Sequence, residues 1–383
     1  MKKTVLVFNK FYLPGYKAGG PILSLANLIS ALGDDYCFKV LTTDRDSGDV
    51  TQYPGIETCR WTKAGNADVY YVPFKDFNFY RMVGLIREVS PDVIYLNSFF
   101  NFKFTILPLL AWFMGLTGKP LLVLAPRGEF SDGALSIKPL RKGLYVALFK
   151  LFRLGRDVIW HASSQYEALD IQNAVSADTS RIKVAPVLPR ALLKEAQGSP
   201  RGRSTPLRIV FLSRISPMKN LEYAIGVLGK VRAPVAFTVY GPIADKDYWG
   251  RCLKLARELP SNIEFDYGGL VDSARVVEFL GRHDLLLFPT RGENYGHVIA
   301  EALIAGLPLL ISDQTPWRGL SDLGIGRDLS LDDEAQFVEY VEYLAVMSDD
   351  QYRELRSKVS EGAALLLDLK EKVEASRRIF SGA

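Results

Sequence analysis

Short apolar runs rich in β-branched residues alternate along this chain with stretches of helical periodicity. Runs that are apolar on both faces are typical of strands in a parallel sheet that helices cover. The runs form two sets, at residues 4–8, 38–42, 92–96, 121–125 and 158–161, and again at 208–213, 235–240, 284–290 and 308–312. This order predicts an α/β protein with two doubly wound parallel-sheet domains.

The stretch between the two sets has no periodicity and is rich in Gly, Pro, Ser and Arg. It predicts a linker over residues 195–206. We therefore expect an N-terminal domain over 1–194 and a C-terminal domain over 207–365, each within the usual range of about 100 to 200 residues. Residues 366–383 have a charged, helical pattern. The sequence leaves open whether this helix crosses back to the N-terminal domain.

The net charge of the chain is small but unevenly distributed. There are 47 Lys and Arg against 43 Asp and Glu, a balance that does not suggest nucleic-acid binding. Residues 1–190 nevertheless carry a net charge of +7, whereas the remainder carries −3. A basic first half suits an anionic partner such as a phosphate or a membrane surface.

The cysteines and the first apolar run indicate the compartment. Cys37, Cys59 and Cys252 lie far apart without metal-ligand spacing, which is typical of free thiols under reducing conditions. The apolar run at 4–8 is too short for the core of a signal peptide. We expect a cytoplasmic protein that is at most peripheral on the inner face of the membrane.

A basic amphipathic segment over residues 138–156 contains no acidic residue. At about 100° per residue, its basic side chains cover one half of a helix and its Leu side chains the other half. The basic residues are Lys138, Arg141, Lys142, Lys150, Arg153 and Arg156. This pattern is typical of a helix that lies on an anionic membrane. The alternative is a surface helix whose Leu residues pack on the sheet.

The most specific segment, residues 290–308, contains two glutamates. We expect a turn at Gly292 and a helix that begins near Gly296, so that Glu293 lies just before the helix and Glu301 within it. Because Glu301 has apolar neighbours, its carboxylate should be partly buried and should need a partner. Two ribose hydroxyls would serve as donors. The alternative partner is a core arginine.

Two further loops follow the first strand of each set. Arg214 and Lys219 lie at the carboxyl end of a parallel strand, where ligands bind in open α/β sheets, and together they suit a diphosphate. Gly19 and Gly20 precede Pro21, which favours the first turn of a helix whose exposed amides would form an anion site. The alternative for the glycine loop is an ordinary turn.

Taken in order, these loops resemble the retaining GT-B glycosyltransferases of family 4, also described as glycosyl transferases group 1. The resemblance covers essentially the whole chain. It is carried by Gly19-Gly20, the spacing from Arg214 to Lys219, Tyr240-Gly241-Pro242, and Glu293 followed after seven residues by Glu301.

The resemblance implies two Rossmann-like domains that face a cleft, with the nucleotide-sugar donor held mainly by the C-terminal domain and the acceptor mainly by the N-terminal one. Arg214 and Lys219 would neutralise the donor diphosphate, and Glu301 would hold the ribose. The donor sugar would contact Glu293, Asn294, Tyr295 and Gly296, and the base would lie near Gly241, Leu270 and Val271.

The same resemblance implies a reaction without a metal or other cofactor. Fixed cations and a helix N-terminus would stabilise the departing diphosphate. Retention of anomeric configuration would follow from attack on the same face, assisted by the departing phosphate, without an obligatory protein nucleophile. An Asp-x-Asp sequence at Asp44 and Asp46 resembles a metal site of a different glycosyltransferase fold, and we interpret it as a solvated loop.

This chain departs from the family in two places. Many relatives carry a His in the loop after the fifth strand, where Arg127 occupies that position and Glu129 is a candidate for positioning or deprotonating the acceptor hydroxyl. Which of the two takes the role of that His is open. Asn294 replaces a common Gly. The three histidines, His161, His283 and His297, are interpreted as structural or capping residues, with His297 the best functional candidate among them by its position.

The leading hypothesis is a glycosyltransferase that moves a hexose-type sugar to a lipid-linked or polysaccharide acceptor in surface glycan biosynthesis. One alternative is a nucleotide-sugar 2-epimerase of the same fold, which would need no acceptor. The other is a non-catalytic nucleotide-sugar-binding scaffold subunit. The joint presence of both glutamates and both cations argues against this last alternative.

Overall fold

The computed structural model describes residues 2–135, 139–189, 205–272, 275–367 and 369–382. The chain forms two compact units. The first comprises Met1–Leu188 together with Leu369–Ala383, and the second comprises Pro189–Asp368. Most of the linker predicted at 195–206 lies outside the described residues.

The first unit is built on an eight-stranded sheet in the order β3-β4-β2-β1-β5-β6-β7-β8. All neighbouring pairs are parallel except β3 and β4, which are antiparallel. The strands are β1 Lys3–Phe8, β2 Tyr36–Thr43, β3 Trp61–Ala64, β4 Ala67–Val72, β5 Val93–Leu96, β6 Leu121–Leu124, β7 Ile159–Ala162 and β8 Ile182–Val184. The chain continues from β1 to β2 on one side and from β5 to β6 on the other. The gap between the carboxyl ends of β1 and β5 is therefore a topological switch point.

Helices cover both faces of this sheet. They are α1 Gly20–Leu32, α2 Phe79–Val89, α3 Leu107–Phe113, α4 Asp132–Leu135, α5 Pro139–Leu151, α6 Gln165–Val175 and the later α13 Leu369–Ser381, with a π-helical turn at Phe102–Ile106 before α3. Alternate residues of β1 enter two different apolar clusters, Leu6 in one and Val5 in the other. The sheet is therefore buried on both sides, as parallel strands require.

Helix α13 packs within the first unit although it follows the second in sequence. Its Phe380 is fully buried, and the ring packs edge-on against Tyr36, Phe38 and Tyr95 at centroid distances of 5.5, 6.0 and 5.3 Å. The charged helical pattern at 366–383 thus corresponds to a helix that completes the core of the first unit.

The second unit is built on a six-stranded, fully parallel sheet in the order β11-β10-β9-β12-β13-β14. Its strands are β9 Leu207–Leu212, β10 Val235–Tyr240, β11 Ile263–Gly269, β12 Leu285–Phe288, β13 Leu309–Ser312 and β14 Gly326–Leu329. Its helices are α7 Leu221–Leu228, α8 Lys246–Arg257, α9 Val276–Leu280, α10 His297–Ile304, α11 Glu334–Val346 and α12 Asp349–Leu366. The predicted architecture of two parallel-sheet α/β domains is confirmed.

Helix α5 leaves its apolar face uncovered in the first unit. Leu140 and Leu151 are 89% and 73% exposed, and Leu144 and Leu148 are also exposed. The helix packs inward through Phe149, whose ring lies 5.1 Å from that of Phe99 in the core, and through partly buried Tyr145 and Val146. The alternative in which the Leu residues of α5 pack on the sheet is therefore wrong.

A helix that spans a bilayer needs about 20 predominantly apolar residues. Over the described parts of the chain, no helix is both long and apolar enough to cross a membrane.

Candidate functional site

Two loops of the second unit are joined by an ion pair between Lys219 and Glu293. Lys219 ends a 3₁₀ turn after β9, and Glu293 lies in the loop after β12, so the two neighbouring strands bring them together. Both side chains are largely buried, at 12% and 17% exposure. The Lys219 ammonium also lies 5.7 Å from the ring centre of Phe288. Low exposure limits screening, so this pair is held more strongly than a surface pair.

The backbone around Glu293 is fixed by hydrogen bonds to neighbouring loops. The Arg291 amide donates to the Met218 carbonyl at 2.8 Å, and the Thr290 hydroxyl donates to the same carbonyl at 3.1 Å. The Glu293 amide donates to the Gln314 carbonyl at 3.1 Å in the loop after β13. Three adjacent strand ends therefore hold this carboxylate in place.

Helix α10 begins at a left-handed glycine beside an aromatic pair. Gly296 has φ of +80°, and a Cβ there would lie 2.9 Å from Cδ1 of Ile299, so other residues would be strained. The Tyr295 carbonyl accepts a hydrogen bond from Trp317 Nε1, and the two rings lie 5.4 Å apart. This hydrogen bond and ring contact hold the backbone that leads into α10.

Tyr295 and Glu301 lie close enough to interact electrostatically. Burial, and then the Glu301 carboxylate, raise the pKa of Tyr295 well above its usual range. The Tyr295 hydroxyl is buried and has no hydrogen-bond partner among the described residues. Glu301 is half-buried on α10, as the apolar context of its sequence predicts.

The remaining residues that were predicted to bind the donor in the second unit lie along the same carboxyl edge of the sheet. Arg214 is exposed after β9. Gly241 follows β10 with φ of +130°, and a Cβ there would lie 1.9 Å from the Ser213 carbonyl oxygen, so only glycine fits. Leu270 is exposed and Val271 half-buried, directly after β11. Asn294 is exposed between Glu293 and Tyr295.

In the first unit, Arg127 is held in a strained backbone conformation after β6. Its φ is +57°, which is uncommon for a residue other than glycine. Its Nε donates to Asn97 Oδ1 at 2.8 Å, and its Nη2 donates to the Tyr95 hydroxyl at 2.5 Å. The guanidinium is therefore fixed by residues from the neighbouring strand β5.

The Tyr95 hydroxyl continues this network to His161. Burial, and then the nearby Arg127, lower the pKa of His161 to about 3, so its ring is neutral. Its Nε2 lies 3.0 Å from the Ala185 carbonyl, which can only accept, so the ring proton is assigned to Nε2. Nδ1 therefore accepts from the Tyr95 hydroxyl at 2.8 Å. His161 is a structural residue, as its position in a strand indicates.

Glu129 is anchored by the loop that follows β5. Its Oε2 accepts the amides of Phe99 and Phe100 at 2.6 and 2.9 Å. Burial raises the pKa of Glu129, and these two amides oppose that effect. One oxygen of the Glu129 carboxylate therefore holds this loop, so the carboxylate does not face a ligand with both oxygens.

The glycine loop has the predicted local geometry. Gly19 has φ of +71° and precedes α1, with Pro21 in the first turn after Gly20. Asp46, expected in a solvated loop, is buried instead, and its Oδ2 accepts the amides of Tyr16 and Lys17 at 2.7 and 2.9 Å.

Asp44 is likewise buried, in a bidentate contact with Arg45. The solvated interpretation of this acidic loop is therefore wrong. No group of three or more His, Cys, Asp or Glu side chains within the described ranges is arranged to hold a metal ion.

Sequence reasoning missed the partners that position these groups. Asn97 and Tyr95 hold Arg127, and Asp46 holds the glycine loop. Asn97 could have been found, because it follows a predicted strand directly, as Arg127 does. Tyr95 could not have been found, because it lies inside a strand, where a tyrosine is expected to be an ordinary core residue.

Comparison with known proteins identifies the domain that carries these strand-end loops. Residues 194–363 match the family model described as "Glycosyl transferases group 1". The second unit is a glycosyltransferase domain. The enzyme class predicted from the family resemblance, a glycosyltransferase, is thereby confirmed.

Solved structures extend the likeness to both units of this glycosyltransferase. Anabaena HepE, in complex with UDP and glucose, superposes with a TM-score of 0.72 at 17% identity over 100% of both chains. The glycosyltransferase WaaG, involved in lipopolysaccharide biosynthesis, gives 0.67 at 16% identity over 99% of this chain and 98% of its own.

A third structure, sucrose-phosphate synthase from Thermosynechococcus elongatus, gives 0.69 at 14% identity over 100% of both chains. These likenesses confirm the predicted GT-B fold. No curated protein sequence matches the chain.

Proposed function

We propose that this protein is a retaining glycosyltransferase of family 4. It moves a hexose-type sugar from a nucleotide diphosphate sugar to a lipid-linked or polysaccharide acceptor in surface glycan biosynthesis. The complex of HepE with UDP and glucose and the role of WaaG in lipopolysaccharide biosynthesis support a donor and an acceptor of these kinds.

The observation that carries the proposal is the ion pair of Lys219 with Glu293. It holds a cation and a carboxylate, each from a different strand-end loop, at one edge of a parallel sheet, where open α/β folds bind their ligands. Glu293 then contacts the donor sugar, together with the backbone of Asn294, Tyr295 and Gly296.

The diphosphate and nucleoside of the donor are bound by the neighbouring groups. Exposed Arg214 joins Lys219 at the diphosphate, and half-buried Glu301 accepts hydrogen bonds from the ribose hydroxyls. The base lies near Gly241, where only glycine fits, and near Leu270 and Val271. In the first unit, Gly19 and Gly20 supply backbone amides for an anionic group.

The chemical step is the departure of a nucleoside diphosphate from C1 of the sugar. Arg214, Lys219 and the N-terminus of α10 stabilise the negative charge that develops on the diphosphate, because they are held in place before the bond breaks. The acceptor hydroxyl attacks the same face and loses its proton to the departing phosphate, so the anomeric configuration is retained.

Arg127 and Glu129 act on the acceptor in this scheme. Arg127 has the fixed orientation that positioning requires, since both Asn97 and Tyr95 accept from its guanidinium. Glu129 holds the adjacent loop through two amides, which favours a positioning role over proton transfer. Arg127 is therefore our choice for the position of the family's His.

The exposed apolar face of α5 supports a membrane-bound site of action. Arg141 and Lys150 are exposed on the same helix as the uncovered Leu residues, and Arg153 is exposed just after the helix ends. A helix with a basic and an apolar face lies in the interface of an anionic bilayer, with its apolar side chains inserted between the lipids. Lys142 instead donates to the Ala134 carbonyl, and Lys138 lies outside the described residues.

A two-stage experiment tests the activity. Thermal unfolding of the purified protein with a panel of nucleotides and nucleotide sugars should identify the donor, because a ligand of the native state raises the melting temperature. Incubation of that donor with candidate lipid-linked acceptors should then give an α- or β-product of unchanged configuration by NMR, in excess EDTA as well as without it.

The possible outcomes separate the competing functions. A product of inverted configuration contradicts retention, and activity lost in EDTA and restored by Mg²⁺ or Mn²⁺ contradicts metal independence. Conversion of a free nucleotide sugar to its 2-epimer would indicate the epimerase. Donor binding without transfer, hydrolysis or epimerisation would indicate a scaffold subunit.

A further inference from the structure

Two lysines that follow adjacent strands of the first unit lie close to one exposed aromatic ring, that of Phe74. Lys10 follows β1, and its ammonium lies 5.8 Å from the ring centre of Phe74. Lys103 follows β5, and its ammonium lies 4.0 Å from the same centre and donates to the Phe74 carbonyl at 2.5 Å. Phe74 is 44% exposed, so the cluster opens to solvent.

The positions of these lysines are fixed by their surroundings. The carbonyl of Lys10 accepts hydrogen bonds from the amide and hydroxyl of Thr43, at 3.1 and 2.7 Å. Its ammonium also lies 4.8 Å from the ring centre of Phe11. Lys103 is in the π-helical turn that Asn101 caps through the Phe104 amide. The two cations are thus placed by structure rather than by free side-chain motion.

The charge of the cluster is not neutralised within the protein. Neither Lys10 nor Lys103 forms an ion pair with a carboxylate in the described part of the chain. Both ammonium groups lie within 6 Å of the ring centre of Phe74. A bound anion would supply the opposite charge that both ammonium groups lack.

The cluster lies at a position where parallel sheets commonly bind ligands. Lys10 and Lys103 follow β1 and β5, which lie side by side and flank the topological switch point of the first sheet. Arg127, placed on the acceptor in the proposed function, follows β6, the next strand along. The cluster therefore lies at the same edge of the sheet as the expected acceptor site.

We propose that Lys10, Phe74 and Lys103 bind an acidic sugar of the acceptor, through a carboxylate or phosphate substituent. The two ammonium groups contact the anionic substituent, and the Phe74 ring packs against the apolar face of the sugar. This inference deepens the proposed function, since it takes the acceptor from there and specifies its charge. Carboxylate and phosphate share the required chemistry.

Binding to the full chain at low salt tests the proposal without turnover. Titration calorimetry would use methyl glucuronoside, glucose 6-phosphate and the neutral methyl glucoside as probes. We expect one or both acidic sugars to bind, more weakly as salt is added, and the neutral sugar not to bind. Equal binding of the neutral and acidic sugars would overturn the proposal.

Variants locate the binding site. The double substitution Lys10→Met and Lys103→Met keeps the length of both side chains but removes their charge, and should weaken acidic-sugar binding by roughly tenfold to a hundredfold. Lys75→Met, at the exposed residue next to Phe74, is the matched control and should bind as the wild type does. Unchanged affinity in the double variant would overturn the assignment.

Donor binding distinguishes failure of this site from failure of the proposed function. The double variant should bind the donor nucleotide with wild-type affinity, because neither lysine is among the residues assigned to the donor. If the wild type binds acidic sugars but no nucleotide sugar, the proposed function fails and the anion site stands. If it binds the donor but no acidic sugar, only this inference fails.

Discussion

At the scale of single residues, Lys219 and Glu293 are 74 positions apart and yet share one ion pair. We expect Lys219→Ala to weaken donor binding by roughly tenfold to a hundredfold, because a charge-assisted contact to the diphosphate is lost and Glu293 loses its partner. Titration calorimetry with the nucleotide sugar identified by thermal shift measures this change.

Lys230→Ala is the matched control for Lys219→Ala. Lys230 also pairs with a glutamate of the second unit, Glu334, but it is 61% exposed. Exposed pairs contribute little, about 0–1 kcal/mol, so donor binding and stability should change little in this variant. Equal losses in the two variants would argue against a donor role for Lys219.

A second residue-scale prediction concerns the pH dependence of stability. The pKa of His161 is about 3 in the folded chain, below its value of about 6.5 in an unfolded one, so the unfolded state binds the extra proton first. As pH falls from about 6.5 towards 3, His161 alone should lower the free energy of unfolding by about 1.4 kcal/mol per pH unit. Urea unfolding of the wild type and of His161→Gln should show a shallower slope in the variant.

NMR provides a check on His161 that does not depend on the variant folding. The ¹⁵N shifts of the wild-type ring at pH 5 should be those of a neutral imidazole with its proton on Nε2. A charged ring, or equal pH slopes for the two proteins, would contradict the assigned network.

The sequence predicts some of these residues and not others, for a physical reason. Arg214 and Lys219 could be predicted, because they follow a buried strand at the edge where ligands bind, whereas Arg127 was predicted from the resemblance to the family. Their partners could not, since the contact of Arg127 with Tyr95 depends on the relative height of two strands and on side-chain rotamers. The burial of Asp46 was missed for the same reason.

At the scale of elements, α5 has an uncovered Leu face with two exposed cations on the helix, and Arg153 is exposed just after it. Neutralising Arg141, Lys150 and Arg153 together should strongly reduce sedimentation with anionic vesicles, because each basic side chain near such a surface contributes about 1 kcal/mol. Donor binding should be unchanged. Co-sedimentation at low and at physiological salt measures the effect.

The control for α5 removes the same number of charges from another exposed helix. Lys246, Lys254 and Arg257 lie on α8 of the second unit and are exposed. Their neutralisation should leave vesicle binding intact if α5 is the docking element. Equal losses would indicate an effect of net charge alone, and no binding by the wild type would favour a soluble acceptor.

The nine strands predicted from apolar runs are present, and four of the five that were missed share a cause. In β11 only Ile263 is buried, and β14 includes Arg327 and Asp328. Both are edge strands, as β3 and β8 are, so half of their residues face solvent or loops and no apolar run marks them. β4 is buried but follows β3 in a tight hairpin, without the helix that separates the other strands.

At the scale of the whole molecule, Phe380 ties the stability of the first unit to a helix that follows the second. Phe380→Ala should destabilise the first unit by about 3–5 kcal/mol, because it leaves a cavity between α13 and the sheet. Hydrogen exchange followed by mass spectrometry should show faster exchange in β1 and β2, with β9 and β12 unchanged.

Leu365→Ala is the matched control for this prediction. Leu365 is an apolar residue of the neighbouring helix α12, but it is 73% exposed. Its truncation should leave exchange in both sheets near the wild-type rate. Faster exchange in β9 and β12 after Phe380→Ala would contradict the assignment of α13 to the first unit.

The placement of α13 also sets the order in which the nascent protein is completed on the ribosome. Domains generally fold as units, those nearer the N-terminus first, as they are translated. Here all of the second unit is translated after Leu188 and before Leu369, so its sheet can close while that of the first unit still exposes Phe38 and Tyr95. The core of the first unit is therefore completed only when α13 emerges, after the whole second unit has been synthesised.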